Sequence, residues 1–394
     1  MAHRIFHSNT IFSAIIAVLL FPAATKAQSQ KHYVENEYKQ VNLVSNGYVA
    51  AKVTDPNLIN PWGMVAGPTP VWISNQGSNT STVYAISSVE VGKGALLTVK
   101  VPTETGGPNG PTGIVFNSAG NAFKIPSATG MVSSLFVFAN LNGTISGWNP
   151  GSTGGVGSAV VAVDNQKAGA VYTGLALGMA GSDTYLYAIN FTPQGGVEVY
   201  DSSFQPAKFQ EEWNEFDSDD NLPKLPHDRI WRPYNIANID GKMYVAYAAM
   251  PKTGGLPITH QGLGVVAAFT LQGKFIRVVA KGGNLDAPWG MVMAPAQFGK
   301  FSNDLLIGNF GNGRILAYSM KTMPDNKERD GENHPYKFDG MLRSSDHKLI
   351  ENGFLWTLMF GNGVKGSDPH TLYITTGGSN QAKDGLLAAI TPDQ

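Results

Sequence analysis

Asn60-Pro61-Trp62-Gly63-Met64 and Ala287-Pro288-Trp289-Gly290-Met291 are almost the same phrase, far apart in one chain. Looser copies lie between and after them. These are Gly110-Pro111-Thr112-Gly113-Ile114, Val171-Tyr172-Thr173-Gly174-Leu175, Arg232-Pro233-Tyr234-Asn235-Ile236 and Phe354-Leu355-Trp356-Thr357-Leu358. A β-rich run follows each opening: Val71–Asn75, Leu135–Asn140, Tyr185–Asn190, Met243–Tyr247, Asp304–Asn309 and Thr371–Thr375. A third run comes next, at Ser81–Ile86, Gly143–Trp148, Gly196–Tyr200, Gly264–Thr270, Gly313–Tyr318 and Gly385–Thr391. Runs rich in Val, Ile, Tyr and Phe, bounded by Gly and Asn, read as strands and hairpin turns. Six such units, each with room for a variable outer strand, predict an all-β, six-bladed β-propeller.

The chain ends predict how the ring closes. After Leu386–Ile390 the chain stops at Gln394, so the sixth unit lacks an outer strand. Upstream of the first unit lies an orphan strand-like run, Tyr38 to Val44. That N-terminal strand is expected to complete the last blade and remove its open edge. Residues 38–394 then form a single propeller domain, preceded by a flexible segment over 28–37. Three stretches interrupt the repeat: the acidic 210–232, the insertion 250–263 and the charged 321–340. Long loops on a rigid scaffold are where binding residues concentrate.

Composition fits this reading. Of 394 residues only 14% are charged, while Gly (46) and Pro (23) are abundant, as in many short strands joined by turns. A net charge of −1 offers no electrostatic footprint for nucleic acid or an anionic membrane. With no cysteine, disulfides, thiol nucleophiles and Cys-ligated metals are excluded. At the N-terminus, His3 and Arg4 precede the apolar run Ile11 to Phe21, and Thr25-Lys26-Ala27 supplies small residues for cleavage. Residues 1–27 therefore read as a signal peptide, too short in its apolar part to span a bilayer, and the mature chain as secreted or periplasmic without a membrane span.

The Asn60 to Met64 and Ala287 to Met291 phrases, Arg232 to Ala248, Gly308 to Tyr318 and Gly385 to Pro392 together resemble a family of uncharacterised exported bacterial and fungal propeller proteins. Some of its members carry a Pro-Glu-Pro C-terminal sorting tail, which this sequence lacks. The resemblance spans about residues 38–392 and implies no activity. More distantly the repeat is similar to NHL propellers and to the lactonase group of six-bladed propellers, in which Asn and acidic oxygens near the channel hold calcium. Fold analogy alone does not transfer those functions.

Candidate sites follow. Asn75, Asn140, Asn190 and Asn309 close the second runs. The lactonase likeness implies a calcium reading for them; the alternative is a hairpin role, since Asn tolerates turn geometry and bonds its own backbone. Calcium takes six to eight oxygens, usually including carboxylates, and these positions are neutral. Asp217, Asp219, Asn221 and Asp228 fall at EF-hand-like offsets, but Leu222 stands where that loop needs glycine. His227, His260 and His370 lie in loops that would converge if they shared a face, and no HExxH motif occurs. Gly308-Asn309-Phe310-Gly311-Asn312-Gly313 precedes a strand and reads as a hairpin turn, and no nucleophile elbow is present. Trp62, Trp289 and Trp356, with Tyr172 and Tyr234, recur at the unit openings. They read either as a ligand-stacking ring at the channel mouth or as packing between blades. The expected function is a scaffold binding a ligand or protein of the envelope or exterior; the alternative is a lactonase-type hydrolase with a divalent cation in the channel.

Overall fold

The computed structural model describes residues 37–393 apart from 69, 104–108, 210–212, 214–221, 321–335, 365–366 and 382. The signal peptide expected over 1–27 and the Asp217, Asp219 and Asn221 positions lie outside the described residues. Those described fall within one compact unit, Tyr33–Gln394. Among them there is no α-helix, and none is long and apolar enough to cross a membrane.

Six sheets follow the six units in order. Blade one is Pro61–Ala66, Val71–Asn75, Thr80–Tyr84 and Leu97–Lys100. Blade two is Pro111–Phe116, Phe136–Asn140, Thr144–Trp148 and Val160–Asp164. Blade three is Tyr172–Ala180, Asp183–Asn190, Val197–Tyr200 and Pro206–Ala207. Blade four is Arg229–Ile239, Lys242–Pro251, Val265–Phe269 and Phe275–Lys281; blade five is Pro288–Met293, Leu305–Asn309, Ile315–Ser319 and Lys337–Met341. Leu355–Phe360, Leu372–Thr376 and Leu386–Pro392 start blade six, and Tyr38–Ser45 completes it. All of these strands pair antiparallel, from inside to outside. One feature escaped the repeat: a hairpin of Lys124–Ser127 and Gly130–Ser133 inserted into blade two.

The closing strand runs antiparallel to Leu386–Pro392, from Tyr38↔Pro392 to Ser45↔Leu386, with a bulge between Asn42 and Val44. Val53–Thr54 then adds a short parallel fifth strand, which the sequence did not announce. Tyr38 reaches beyond its own blade. Its hydroxyl donates to the Phe298 carbonyl of blade five at 3.0 Å, and its ring lies parallel to Phe301 at 6.0 Å. The first and last strands are thus fastened to each other and to the neighbouring blade.

The opening phrase has a physical cause. In each blade it forms the innermost strand, and each innermost strand touches the next around the full ring. A Cβ added at Gly63, Gly113, Gly174 or Gly290 would come closer than 3.0 Å to the adjacent blade, meeting Thr112 O, Leu175 N, Asn235 Oδ1 and Trp356 O respectively. The two remaining positions of the series bridge instead. Asn235 donates through Nδ2 to Trp289 O, and Thr357 through Oγ1 to Trp62 O, each at 2.7 Å. Thr112 and Thr173 extend the belt, donating to Tyr172 O and Tyr234 O at 2.8 Å. Glycine recurs because backbone meets backbone there.

This belt generates a stability test. Gly63→Ala and Gly290→Ala should each cost about 2 kcal/mol or more, in the range of overpacked sites. Gly94→Ala, where an added Cβ meets nothing within 4 Å, should leave the denaturant midpoint unchanged. Equal effects at all three positions in urea titrations would refute the close-approach account.

Candidate functional site

The register of the innermost strands aims the residue before each belt position at the channel: Trp62, Thr112, Thr173, Tyr234, Trp289 and Trp356. Aromatics therefore come from blades one, four, five and six. Trp62 and Trp356 stack with ring centres 3.6 Å apart and planes at 21°. Trp289 meets both edge-on, at 6.1 and 5.6 Å. Phe310 packs on Trp356 at 4.5 Å, and Phe191 on Tyr234 at 4.7 Å. Edge-to-face and offset contacts suit the ring quadrupoles. Indole N–H groups anchor the cluster: Trp356 Nε1 donates to Asn60 Oδ1 at 2.9 Å and Trp289 Nε1 to Thr173 O at 3.1 Å. Trp62 Nε1 is buried without a partner.

A cavity lies on either side of this cluster. The smaller, about 410 Å³, is lined by the residues that follow the belt, among them Met64, Ile114, Leu175, Ile236, Met291 and Leu358. The larger, about 670 Å³, opens at the end of the channel where the innermost strands begin. Trp62, Phe191, Tyr234, Phe310, Phe354 and Trp356 form its walls, and Asn60, Gln76, Thr192 and Gln381 add polar groups. Gly254, Gly255, Leu256, Pro257 and Thr259, from the insertion in blade four, border it as well. Leu256 is 75% exposed there, an apolar side chain held over the rim. Two wall residues, Asn60 (φ 44°) and Phe354 (φ 51°), sit in the left-handed region. Asn accepts that conformation readily, whereas for Phe it costs about 1–2 kcal/mol. Such strain persists only where surrounding structure imposes it.

The predicted residues divide between this site and other roles. Trp62 and Trp356 line the larger cavity and Trp289 the smaller, so the cluster packs the channel between blades and also forms cavity wall. Tyr172 does not join it. Aligned with Pro61 rather than Trp62, it projects away from the channel, where its hydroxyl meets Tyr200 Oη at 2.8 Å and donates to Glu198 Oε2 at 2.5 Å. Burial, reinforced by the Glu198 charge, pushes its phenol pKa well up.

The histidines do not converge. His227 and His260 are exposed in loops at the cavity end of blade four, whereas His370 precedes Leu372, at the opposite end of the ring, beside Asp368 at 3.5 Å. A second strand runs toward the cavity end, so a residue before it lies on the far face.

The four asparagines lie in four blades, and Asn75, Asn140 and Asn190 bind their own third strands. Asn75 Nδ2 donates to Thr82 Oγ1 at 2.9 Å, Asn140 Nδ2 to Thr144 Oγ1 at 3.0 Å and Ser146 Oγ at 3.4 Å, and Asn190 Nδ2 to Glu198 Oε1 at 2.8 Å. Asn309 Nδ2 reaches Asn284 O at 2.9 Å, while its Oδ1 accepts the Asp286 N–H at 3.1 Å. Thr82, Ser146 and Glu198 occupy matching places in their third strands, so in blades one to three the asparagine is a clamp between second and third strands, whereas Asn309 ties its strand to the loop before Pro288. Among the described residues no group of three or more His, Asp or Glu is placed to hold a metal. The buried Asp286 carboxyl, its pKa raised by desolvation, does not line the larger cavity.

Phe191, Phe310, Phe354, Gln76 and Gln381 were not chosen as site residues from sequence. Tyr234 was named beside Tyr172, and matching Pro233-Tyr234 to Pro61-Trp62 is what separates the two. Gln76, Phe191 and Phe310, with Leu141, each follow the repeated asparagine at the end of a second strand, a signal that the sequence carried, whereas Phe354 and Gln381 lie in loops of blade six.

The clamp predicts that Asn140→Ala lowers stability by about 1–3 kcal/mol, the cost of unpaired buried partners. The loss should be the same with calcium or with EDTA. A penalty that appears only in calcium would restore the metal reading.

No protein-family model matches the chain. Three uncharacterised proteins of Acanthamoeba polyphaga mimivirus are similar to it. The first is 30% identical over 325 residues, 82% of this chain and 77% of that protein. The second is 30% identical over 279 residues, 70% of each chain, and the third 28% identical over 306 residues, 77% of this chain and 54% of that one. The bacterial and fungal origin and the sorting tail implied by the resemblance find no support in these viral relatives. Solved structures include a Bacteroides thetaiotaomicron protein of unknown function (10% identity, 90% of this chain and 76% of that, TM-score 0.47). A glucose dehydrogenase (13%, 89% and 98%, 0.44) and a Penicillium chrysogenum α-L-arabinanase complexed with arabinobiose (9%, 90% and 97%, 0.46) are also similar. With TM-scores below 0.5, these likenesses carry no argument about chemistry. At 30% identity across most of both chains, this six-bladed propeller belongs to the same family as the mimivirus proteins.

Proposed function

We propose that this protein is a binding scaffold that seats a small organic ligand in the larger cavity at the channel mouth. The observation that carries the reading is the cavity itself. About 670 Å³ falls within the usual range of small-molecule sites, and all six blades contribute to its wall, from Asn60 in the first to Trp356 in the last. Aromatic walls with a few amides and hydroxyls suit recognition by shape plus a small number of hydrogen bonds. The rim loop with Leu256 supports the same reading, since loops on a rigid frame concentrate at binding sites. A lactonase-type hydrolase would place carboxylates or histidines at this site, and its described lining carries instead the neutral amides of Asn60, Gln76 and Gln381 and the hydroxyls of Thr173, Thr192, Thr259 and Tyr234. Export after cleavage near Ala27 belongs to the same proposal and would place the site in the periplasm or exterior.

Thr259, exposed at the rim, gives the test. A library of small organic compounds is screened by calorimetry and by intrinsic tryptophan emission, since Trp62 and Trp356 stand in the wall. Hits should bind one per chain, and Thr259→Trp, which narrows the mouth, should weaken them about tenfold or more with little change in melting temperature. Hits indifferent to Thr259→Trp, or no hits at all, would sink the cavity as the binding site.

A further inference from the structure

The wall of the larger cavity is uncharged: none of the described residues lining it is Asp, Glu, Lys, Arg or His. An ion entering such a site loses hydration that no counter-charge replaces, so it neutralises or stays out. A cation does stand nearby, the guanidinium of Arg232. Its Nε and Nη2 donate to Pro193 O at 2.9 and 2.6 Å, and its Nη1 to Trp231 O at 3.0 Å, so these donors are engaged with backbone oxygens.

Most polar groups of the wall are engaged with one another. Asn60 accepts from Trp356 Nε1 and donates to Gln76 Oε1 at 2.7 Å, and Gln76 donates to Asn109 O. Tyr234 differs. It lines the cavity and is 2% exposed, packed against Phe191, Phe310 and Trp356. No described residue hydrogen-bonds its hydroxyl, and burial alone sets its acidity, pushing the pKa well up so that the proton stays on. A hydroxyl on a cavity wall with no described protein partner is free to donate, and an acceptor on a ligand gives it that bond.

Resting on the binding role above, we propose that the ligand is an uncharged, mainly apolar ring compound offering one acceptor, such as a carbonyl or ether oxygen, to the Tyr234 hydroxyl. The aromatic walls supply the apolar complement, Tyr234 fixes the orientation, and the lack of a counter-charge rejects ions of either sign.

Three probes on one ring system separate these elements: naphthalene, 2-acetylnaphthalene and 2-naphthoate. Their affinities are measured by calorimetry on the full chain and on Tyr234→Phe. On the unmodified protein the ketone should bind about fivefold tighter than naphthalene, the value of one neutral hydrogen bond, and at least about tenfold tighter than the carboxylate. Tyr234→Phe should erase the ketone's advantage and leave naphthalene unchanged. A carboxylate that binds as tightly as the ketone would overturn the proposal and give Arg232 the leading part. A ketone advantage that survives Tyr234→Phe would overturn it too. Should no probe bind, the binding cavity itself fails, whereas naphthalene and the ketone binding equally, with the carboxylate excluded, overturns the acceptor assignment and leaves the binding cavity standing. The comparison on the unmodified protein decides even where Tyr234→Phe does not fold.

Discussion

Six innermost strands must meet backbone to backbone around one axis, and everything else in this propeller accommodates that. A Cβ at Gly63, Gly113, Gly174 or Gly290 would collide with the neighbouring blade. Where the series departs from glycine, Asn235 and Thr357 turn the same contact into a hydrogen bond. The belt therefore couples each blade to the next through short-range contacts that tolerate little adjustment, as expected of close-packed interiors. Closure by Tyr38–Ser45 serves the same end, since a ring held by its neighbours has no free edge from which to open.

The belt also dictates where the aromatics go. With its own side chain removed or committed, each belt residue leaves the preceding position to fill the axis. Trp62, Tyr234, Trp289 and Trp356 converge there because four blades present large rings at that register and two present threonine. The asymmetry matters. Thr173 is among the residues lining the larger cavity, and beside it Phe191, Tyr234 and the blade-four rim enclose a space too large to be a packing defect. Tight packing of one half of the axis is what leaves the other half open.

Much of this was legible from residues in order. The phrase at Asn60 and Ala287, with its four looser copies, announced six blades, and the orphan run at Tyr38 announced closure, because strand alternation and turn chemistry are local properties. The candidate site was legible only in part. The three tryptophans were singled out, and Tyr172 and Tyr234 were read alike as opening tyrosines, although their offset from the belt position differs by one residue, which sends them to opposite faces. The repeated asparagines carried a true signal of a different kind, a clamp within the hairpins of blades one to three, since their partners Thr82, Ser146 and Glu198 lie close by in sequence. His227, His260 and His370 looked equivalent as loop residues, although strand direction sends the last to the far side.

By itself, then, the sequence determined the all-β class, the number of blades, the glycine belt and the closing strand, because each depends on contacts within a unit or between units of one pattern. Only the tertiary structure decided which side chains share the channel mouth. Gln76, Phe191 and Phe310 come from blades one, three and five, Phe354 and Gln381 from blade six, and the insertion carrying Leu256 and Thr259 borders them only because the ring closes. Their proximity is a property of the closed circle. No stretch of chain shorter than the whole ring contains it.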